Sequence, residues 1–295
     1  MIEISKIYYT LGKIIQNNSK IEKELGIKKN SINKLTGIKK RFISGNKETS
    51  ENLALKVCKK ISKSKVKKLS HIISVTNTPS IKFPGISNYI SSSLKIKNVF
   101  CVNLNSGCTG YVDALMLAYD IINNNNKSKI LIVTSDTYSK FINKNDRTIR
   151  PLFSDGASAT LIKYKKKGFK SLGRKNLNIS NTQKDLILEK EKIYMNGPAV
   201  VSLALNEVVP EIKRFSKDVD TIYLHQAGKI VSNLLKSKLS NKFNIPTNFE
   251  KFGNLVSSSI PVLLFENFKN FKKNKKVLLC GFGVGLSVSL FKLGK

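Results

Sequence analysis

Three residues of this 295-residue chain have types and surroundings that suit nucleophilic catalysis. The first is Cys108, which lies in a run of small residues, 105–110, between a strand-like and a helix-like stretch. These small residues allow a sharp turn that would place the thiol at the amino end of the helix. Unpaired backbone N–H groups and the helix dipole there favour the thiolate, which is the nucleophile. The alternative is a buried structural cysteine, because cysteine is among the most buried residue types.

The other two residues are His225 and Asn254. His225, one of two histidines, ends an apolar strand-like run, 221–224, and opens a helix-like run at 227–239. Active-site groups of layered α/β folds often lie at such junctions. Taken alone, such a histidine is usually a satisfied polar group, and an asparagine after a glycine is usually a turn or cap residue. The occurrence of all three in one chain favours an active site.

Alternating strand-like and helix-like stretches must hold these residues in place. The run from 109 to 122 is apolar nearly all round, so we expect a helix buried on all sides, between two sheets. A strand pattern over 99–104 precedes it, and the pattern partly repeats after a basic turn at 163–167. A further helix is predicted over 197–215, where Pro210 should disturb it. The chain therefore reads as an α/β protein.

The order and flanks of Cys108, His225 and Asn254 resemble those of the β-ketoacyl-ACP synthase III family of condensing enzymes, which have the thiolase fold. Further segments that resemble motifs of this family are 36–41, 83–84, 154–159, 193–197 and 281–287. The resemblance covers nearly the whole chain. It implies two similar βαβ-type halves in a five-layer αβαβα sandwich. Residues 1–164 would form the half with the cysteine, and residues 165–295 the half with the histidine and asparagine.

The resemblance also implies a reaction, in fatty acid or specialised acyl-chain biosynthesis. An acyl group would pass to Cys108, and malonyl-ACP would then lose carbon dioxide and attack the acyl-enzyme in a Claisen condensation. His225 and Asn254 would donate hydrogen bonds to the malonyl thioester oxygen. Backbone N–H groups of Cys108, Gly283 and Val284 are the candidates for a second oxyanion hole.

Partners and compartment are implied in the same way. Phe83 stands where a phenylalanine of the family lines the acyl pocket across a dimer interface, so we expect a homodimer. No cofactor or metal is expected, and the substrates would be acyl-CoA or acyl-ACP together with malonyl-ACP. The four cysteines show no CxxC spacing, and the start of the chain lacks the pattern of a signal peptide. With no apolar run long enough to span a membrane, these features predict a cytoplasmic protein.

Four positions depart from the pattern of the family. Ser31, Leu35, Gly228 and Ile230 stand where members that use coenzyme A carry tryptophan, arginine, asparagine and arginine. These departures put a coenzyme A donor in doubt and favour an acyl group delivered on a carrier protein. They also favour a specialised paralogue over a general priming enzyme.

The formal net charge of +33 is the strongest feature of the composition. Attraction to an acidic carrier protein is one explanation, because long-range fields raise association rates. AT-rich coding, which favours lysine, asparagine and isoleucine, is the alternative. A membrane surface or a nucleic acid would also suit the charge, but no nucleic-acid-binding motif is present.

Two other functions are compatible with parts of the sequence. An acyltransferase of the same fold would pass the acyl group from Cys108 to a hydroxyl or amine, with His225 as general base. Asn254 argues against this reading. A non-catalytic partner or basic binding protein is the second, and the retained cysteine, histidine and asparagine argue against it.

Overall fold

The structure is a computed structural model that describes residues 1–239 and 243–295, and only the backbone of Val284. The strands are β1 (Ile2–Leu11), β2 (Ile14–Asn17), β3 (Lys40–Ile43), β4 (His71–Val75), β5 (Phe100–Leu104), β6 (Lys129–Asp136), β7 (Gly156–Tyr164), β8 (Lys170–Asn178), β9 (Leu186–Glu189), β10 (Lys192–Met195), β11 (Thr221–Leu224), β12 (Lys276–Gly283) and β13 (Ser287–Gly294). The helices are α1 (Asn18–Leu25), α2 (Ser31–Thr36), α3 (Ser50–Cys58), α4 (Lys63–Val66), α5 (Ile86–Ser93), α6 (Gly110–Asn124), α7 (Gly197–Leu203), α8 (Val209–Phe215), α9 (Lys229–Lys238), α10 (Phe249–Phe252), α11 (Ser259–Glu266) and α12 (Phe268–Lys273).

Two sheets form the framework. The first has the strand order β1-β7-β6-β4-β5, with β4 parallel to both β5 and β6 and the other pairs antiparallel. The second has the order β11-β12-β13-β8, in which β11 and β12 are parallel. Two short pairs, β2 with β3 and β9 with β10, lie outside these sheets.

Both sheets are covered on two faces, as neighbouring residues of their strands show. In β4, Ile72 packs into one apolar cluster and Ile73 into another, since successive side chains of a strand point to opposite faces. In β12, Leu278 and Leu279 are divided in the same way. Each sheet therefore lies between two helical layers, which accounts for the nearly continuous apolar runs in these strands.

The layer between the two sheets consists of α6 and α11. Leu115 of α6 and Leu263 of α11 are fully buried in the same cluster as Ile132 of the first sheet and Leu279 of the second. Outside the first sheet lie α3 and α5, and outside the second lie α7, α8 and α9. The order is thus helix, sheet, helix, sheet, helix, and the predicted five-layer α/β sandwich is confirmed.

The predicted helix over 197–215 forms with an irregularity at its centre. A π-helical segment, Ala204–Val208, joins α7 to α8, and Pro210 lies in the first turn of α8. Proline has no N–H to donate, and the wider π turn accommodates that loss within a continuous helix. The expected disturbance by Pro210 is confirmed.

The strands of the first sheet come from residues 2–164 and those of the second from residues 170–294. The core between them is shared, so the proposed division at 164 separates two halves that bury one another. None of the helices in the described part of the chain is both long and apolar enough to cross a membrane.

Candidate active site

Cys108 lies in a tight turn between β5 and α6. The turn is a single 3-10 segment, Gly107–Thr109, and the cysteine is 4% exposed. Gly107 has φ +51°, a conformation that favours glycine. A Cβ on Gly110 would lie 2.2 Å from Cγ1 of Val75, so a side chain there would collide with β4. The small residues around Cys108 therefore serve both the turn and its close packing.

The end of β12 packs directly against Cys108. A Cβ on Gly281 would lie 2.7 Å from the Cys108 carbonyl oxygen, and one on Gly283 would lie 2.8 Å from Sγ. Gly283 has φ +149° and passes into the 3-10 turn Val284–Leu286. Because neither glycine has a side chain, the backbone of β12 can pack directly against Cys108.

His225 directly follows β11. Its N–H donates to the carbonyl oxygen of Cys280 at 2.9 Å, and its ring meets Phe282 edge to face with 5.6 Å between centroids. Burial lowers the pKa of His225 to about 3, from an ordinary value of 6.5. The imidazole is thus neutral at working pH. Its Nδ1 is buried and has no hydrogen-bond partner among the described residues.

Asn254 is fixed through both its backbone and its side chain. Its N–H donates to the carbonyl of Leu152 at 2.9 Å, and its carbonyl accepts from the N–H of Ser154 at 2.9 Å. Its Oδ1 accepts from the N–H of Val256 at 2.9 Å and from the hydroxyl of Ser259 at 3.4 Å. Two donors point at the same atom, which identifies it as the oxygen, Oδ1. The Nδ2 group at the other end of the amide therefore remains able to donate to a ligand.

One cavity of about 340 Å³ brings these residues together: Cys108, His225, Asn254 and Gly283 all line it. Its other walls are largely apolar. Sequence reasoning did not identify the wall residues Phe153, Leu152, Leu186, Met195 and Val200. Leu186 and Met195 belong to the β9–β10 hairpin, and no pattern in the sequence indicated that this hairpin faces the cysteine.

The same cavity is also lined by the four positions that depart from the family pattern. Ser31 and Leu35 come from α2, and Gly228 and Ile230 from the start of α9. Leu35 is 60% exposed and Ile230 is 56% exposed, which leaves two large apolar side chains in contact with solvent. The α2 and α9 helices thus place two large apolar side chains at this part of the cavity, which Arg147, Thr148 and Lys229 also line.

Phe83 is not among the described residues that line the cavity of its own chain, and it is 90% exposed. Cys58 and Cys280 are fully buried, and burial raises the pKa of both thiols. Neither lines the cavity in the described part of the chain, so both suit packing rather than nucleophilic attack. Among the described residues there is also no group of three or more histidine, cysteine, aspartate or glutamate residues placed to hold a metal.

Comparison with known proteins places this site in a family. The family models described as 3-oxoacyl-[acyl-carrier-protein (ACP)] synthase III and its C-terminal part match residues 102–178 and 213–291. The first range contains Cys108, and the second contains His225 and Asn254. A β-ketoacyl-[acyl-carrier-protein] synthase III of Streptococcus agalactiae is 31% identical over 285 residues, which cover 87% of this chain and 87% of the relative. The chain belongs to the β-ketoacyl-ACP synthase III family.

Other members of the family agree with this assignment. A β-ketoacyl-[acyl-carrier-protein] synthase III of Clostridium novyi is 31% identical over 304 residues, with 92% of each chain covered. A crystal structure of a 3-oxoacyl-(acyl-carrier-protein) synthase III superposes with a TM-score of 0.91 at 25% identity, and covers 100% of this chain and 99% of that one. The predicted thiolase-type fold and the predicted family are both confirmed. As a member of the β-ketoacyl-ACP synthase III family, the chain is a condensing enzyme of the acyltransferase class.

Proposed function

We propose that this enzyme forms a β-ketoacyl thioester in fatty acid or related acyl-chain biosynthesis, by acylation of Cys108 followed by decarboxylative condensation with malonyl-ACP. The observation that carries the proposal is the shared cavity of Cys108, His225 and Asn254, whose asparagine keeps its Nδ2 donor for a ligand. A nucleophile and two neutral donors are the groups that this two-step reaction requires.

The first step transfers the acyl group to the enzyme. The Cys108 thiolate attacks the carbonyl carbon of the donor thioester, and a new C–S bond forms. The old C–S bond breaks, and the donor thiol leaves with the proton that the cysteine gave up. Negative charge collects on the carbonyl oxygen during the attack. We assign the N–H groups of Cys108 and of the Gly283–Val284 turn to stabilise it, since Gly283 brings that backbone against Sγ.

The second step makes the carbon–carbon bond. The malonyl carboxylate leaves as carbon dioxide, and the electron pair of the broken C–C bond forms an enolate whose charge lies on the thioester oxygen. His225 and Asn254 donate to that oxygen, through Nε2–H and Nδ2–H. A neutral imidazole with its proton on Nε2 suits this role, and burial keeps His225 neutral. The enolate carbon then attacks the Cys108 thioester, whose C–S bond breaks to return the thiolate.

The donor that we propose for the first step is an acyl group on a carrier protein. Leu35 and Ile230 place apolar side chains where members of the family that use coenzyme A carry arginines, although Arg147 and Lys229 also line the cavity. The net charge of +33 suits a strongly acidic protein partner. No cofactor or metal takes part in the proposed reaction.

We also propose that the enzyme works as a homodimer in the cytoplasm. Strand β5 lies at the edge of the first sheet, with Phe100 64% exposed, and Phe83 is 90% exposed. An exposed sheet edge with large apolar side chains beside it favours association. Phe83 of one subunit would then line the acyl pocket of the other. A reducing cytoplasm would keep the Cys108 nucleophile as a thiol.

The test is intact-protein mass spectrometry after incubation with acyl-ACP or acyl-CoA. We expect an acyl adduct with the acyl-ACP donor, slower formation from acyl-CoA, and none in Cys108→Ala. The matched control is Cys101→Ala, which removes a partly exposed thiol and should keep the adduct. An adduct that persists in Cys108→Ala would overturn the assignment of the nucleophile. Acylation that is faster from acyl-CoA than from acyl-ACP would overturn the proposed donor but not the assignment of the nucleophile.

A further inference from the structure

Asp136 is a fully buried carboxylate at the end of β6 that the proposed chemistry does not use. It is 0% exposed, and the donors around it come from two separate segments of the chain. One segment follows β4, and the other is the 3-10 turn Val256–Ser258 that comes just after Asn254. The carboxylate therefore joins two segments that are far apart in the sequence, residues 76–78 and the turn after Asn254.

The first oxygen, Oδ1, holds the segment after β4. It accepts from the N–H of Asn77 at 2.8 Å and from the hydroxyls of Thr76 and Thr78 at 3.3 and 3.4 Å. Asn77 in turn donates from Nδ2 to Oδ1 of Asn105, which lies three residues before Cys108. This side of Asp136 thus reaches the loop that carries the nucleophile.

The second oxygen, Oδ2, holds the turn after Asn254. It accepts from the N–H of Ser257 at 3.3 Å and from the Ser257 hydroxyl. The preceding residue, Val256, has φ +52°, a left-handed conformation that is unfavourable for a β-branched side chain. Its N–H is the group that engages Oδ1 of Asn254. The contact between Asp136 and Ser257 therefore holds a strained turn that sets the direction of the Asn254 amide.

We infer that Asp136 is a positioning residue that fixes the Asn254 turn relative to the Cys108 loop. Acylation needs the Cys108 loop and the Gly283–Val284 turn but not Asn254, whereas condensation needs Cys108 and Asn254 at a set separation. We call the contacts of Asp136 with Asn77 and Ser257 the Asp136 clamp. Loss of the clamp should therefore slow condensation and leave acylation nearly unchanged. This inference rests on the proposed function, because the two steps are those of the condensing reaction.

A carboxylate is the group that this position requires. Its two oxygens accept from Asn77 and Ser257 together, and no donor is needed. In Asp136→Asn, Oδ1 still accepts on one side, but the new NH₂ group faces the N–H of Ser257 and cannot accept from it. The substitution keeps the shape of the side chain and breaks one side of the clamp.

The experiment compares Ser257→Ala with Ser258→Ala, and adds Asp136→Asn. Ser257 and Ser258 are neighbouring buried serines, but the Ser258 hydroxyl meets Thr134 at 2.7 Å instead of Asp136. Rates of Cys108 acylation and of condensation are measured separately in single turnovers. We expect Ser257→Ala to slow condensation about 10-fold and Asp136→Asn about 100-fold, since small misplacements of reacting groups cost this much. Acylation should stay within about twofold of the wild-type rate, because Asn254 takes no part in that step and the Oδ1 contacts on the side of the Cys108 loop remain.

The double variant supplies a second readout that general loss of stability would not give. If Asp136 and Ser257 act through one contact, Asp136→Asn with Ser257→Ala should condense no more slowly than Asp136→Asn alone. Three results would each overturn the inference. The rate losses of the two single variants could multiply in the double variant, or Ser257→Ala and Ser258→Ala could slow condensation equally. Acylation and condensation could also be slowed equally.

A measurement independent of turnover separates this inference from the proposed function. Hydrogen exchange of residues 254–259 should rise in Asp136→Asn and Ser257→Ala, but not in Asp155→Asn. Asp155 is an equally buried carboxylate whose donors are Ser44 and Ser139. Unchanged exchange in Asp136→Asn would overturn the clamp. A wild-type enzyme that forms the adduct but never condenses would overturn the proposed function, and exchange would still decide on the clamp.

Discussion

At the scale of single residues, the role of Asn254 depends on which atoms of its amide are already engaged. Oδ1 accepts from Val256, so Nδ2 is the group that can donate to the enolate oxygen. We expect Asn254→Ala to slow condensation about 100- to 1000-fold, the usual cost of one oxyanion donor, and to leave the acylation of Cys108 unchanged. Single-turnover mass spectrometry of the two steps measures both rates.

Asn254→Asp is the matched control for that prediction. The aspartate keeps an acceptor for the N–H of Val256 and replaces the NH₂ donor by an oxygen. It should therefore condense as slowly as Asn254→Ala although the turn is preserved. Equal losses in acylation and condensation would show that Asn254 shapes the cavity and does not act on the enolate.

His225 gives a prediction about stability and pH. Its pKa in the folded protein is about 3, whereas an unfolded histidine titrates near 6.5, so below 6.5 protons bind the unfolded state preferentially. Stability is therefore lost as the pH falls from 6.5 towards 3. Between pH 7.5 and 5, the wild type should lose about 2 kcal/mol more free energy of unfolding than His225→Gln.

Urea denaturation at the two pH values measures this difference. His71→Gln is the control. Burial also lowers the pKa of His71, but this side chain is only partly buried, whereas His225 is buried. If His225→Gln loses as much stability as the wild type on acidification, the imidazole is not held neutral by burial.

At the scale of elements, the turn at the end of β12 sets the space around the nucleophile. A Cβ on Gly283 would lie 2.8 Å from Sγ of Cys108, at a φ that side chains rarely adopt. Gly283→Ala should therefore slow acylation at least about 100-fold by displacing the thiol or the backbone donor beside it. The rate of adduct formation measures the effect.

Gly285→Ala is the control for the β12 turn. Gly285 also has a positive φ, +61°, but nothing lies within 4 Å of the position of its Cβ. The variant tests backbone strain in the same turn without a collision at the thiol. Similar losses of acylation in both variants would mean that strain, and not contact with Cys108, explains the effect at Gly283.

Elements with a strong pattern could be predicted from the sequence, and those without one could not. The apolar run that became α6 indicated a central helix, since only a layer between two sheets buries it on every face. The β9–β10 hairpin was not predicted to line the cavity, because Leu186 and Met195 meet Cys108 only through tertiary packing. Asp136 was missed for the same reason: its donors are 58 to 121 residues away along the chain.

At the scale of the whole molecule, the net charge of +33 predicts a dependence on salt that differs between substrates. Long-range attraction speeds the encounter with an acidic carrier protein and is screened as the Debye length shortens. We expect kcat/KM for malonyl-ACP to fall about 10-fold between 50 and 500 mM salt. A small uncharged acyl thioester should acylate Cys108 at a rate that does not change with salt.

The two substrates distinguish attraction from compositional drift. Equal and small salt effects on both would show that the lysines reflect coding bias and do not steer a partner. The charge was visible in the sequence, but its cause was not, since composition records neither the partner nor the distribution of charge around the cavity.

The measurement that tests the central claim most directly is a chase of the isolated Cys108 acyl-enzyme with malonyl-ACP. Intact mass follows the adduct, while the carrier product and the released carbon dioxide are quantified together. We predict that each adduct lost yields one β-ketoacyl-ACP and one carbon dioxide, and that unmodified Cys108 returns. An adduct that persists with malonyl-ACP, or that leaves only when a hydroxyl or amine acceptor is added, would contradict decarboxylative condensation.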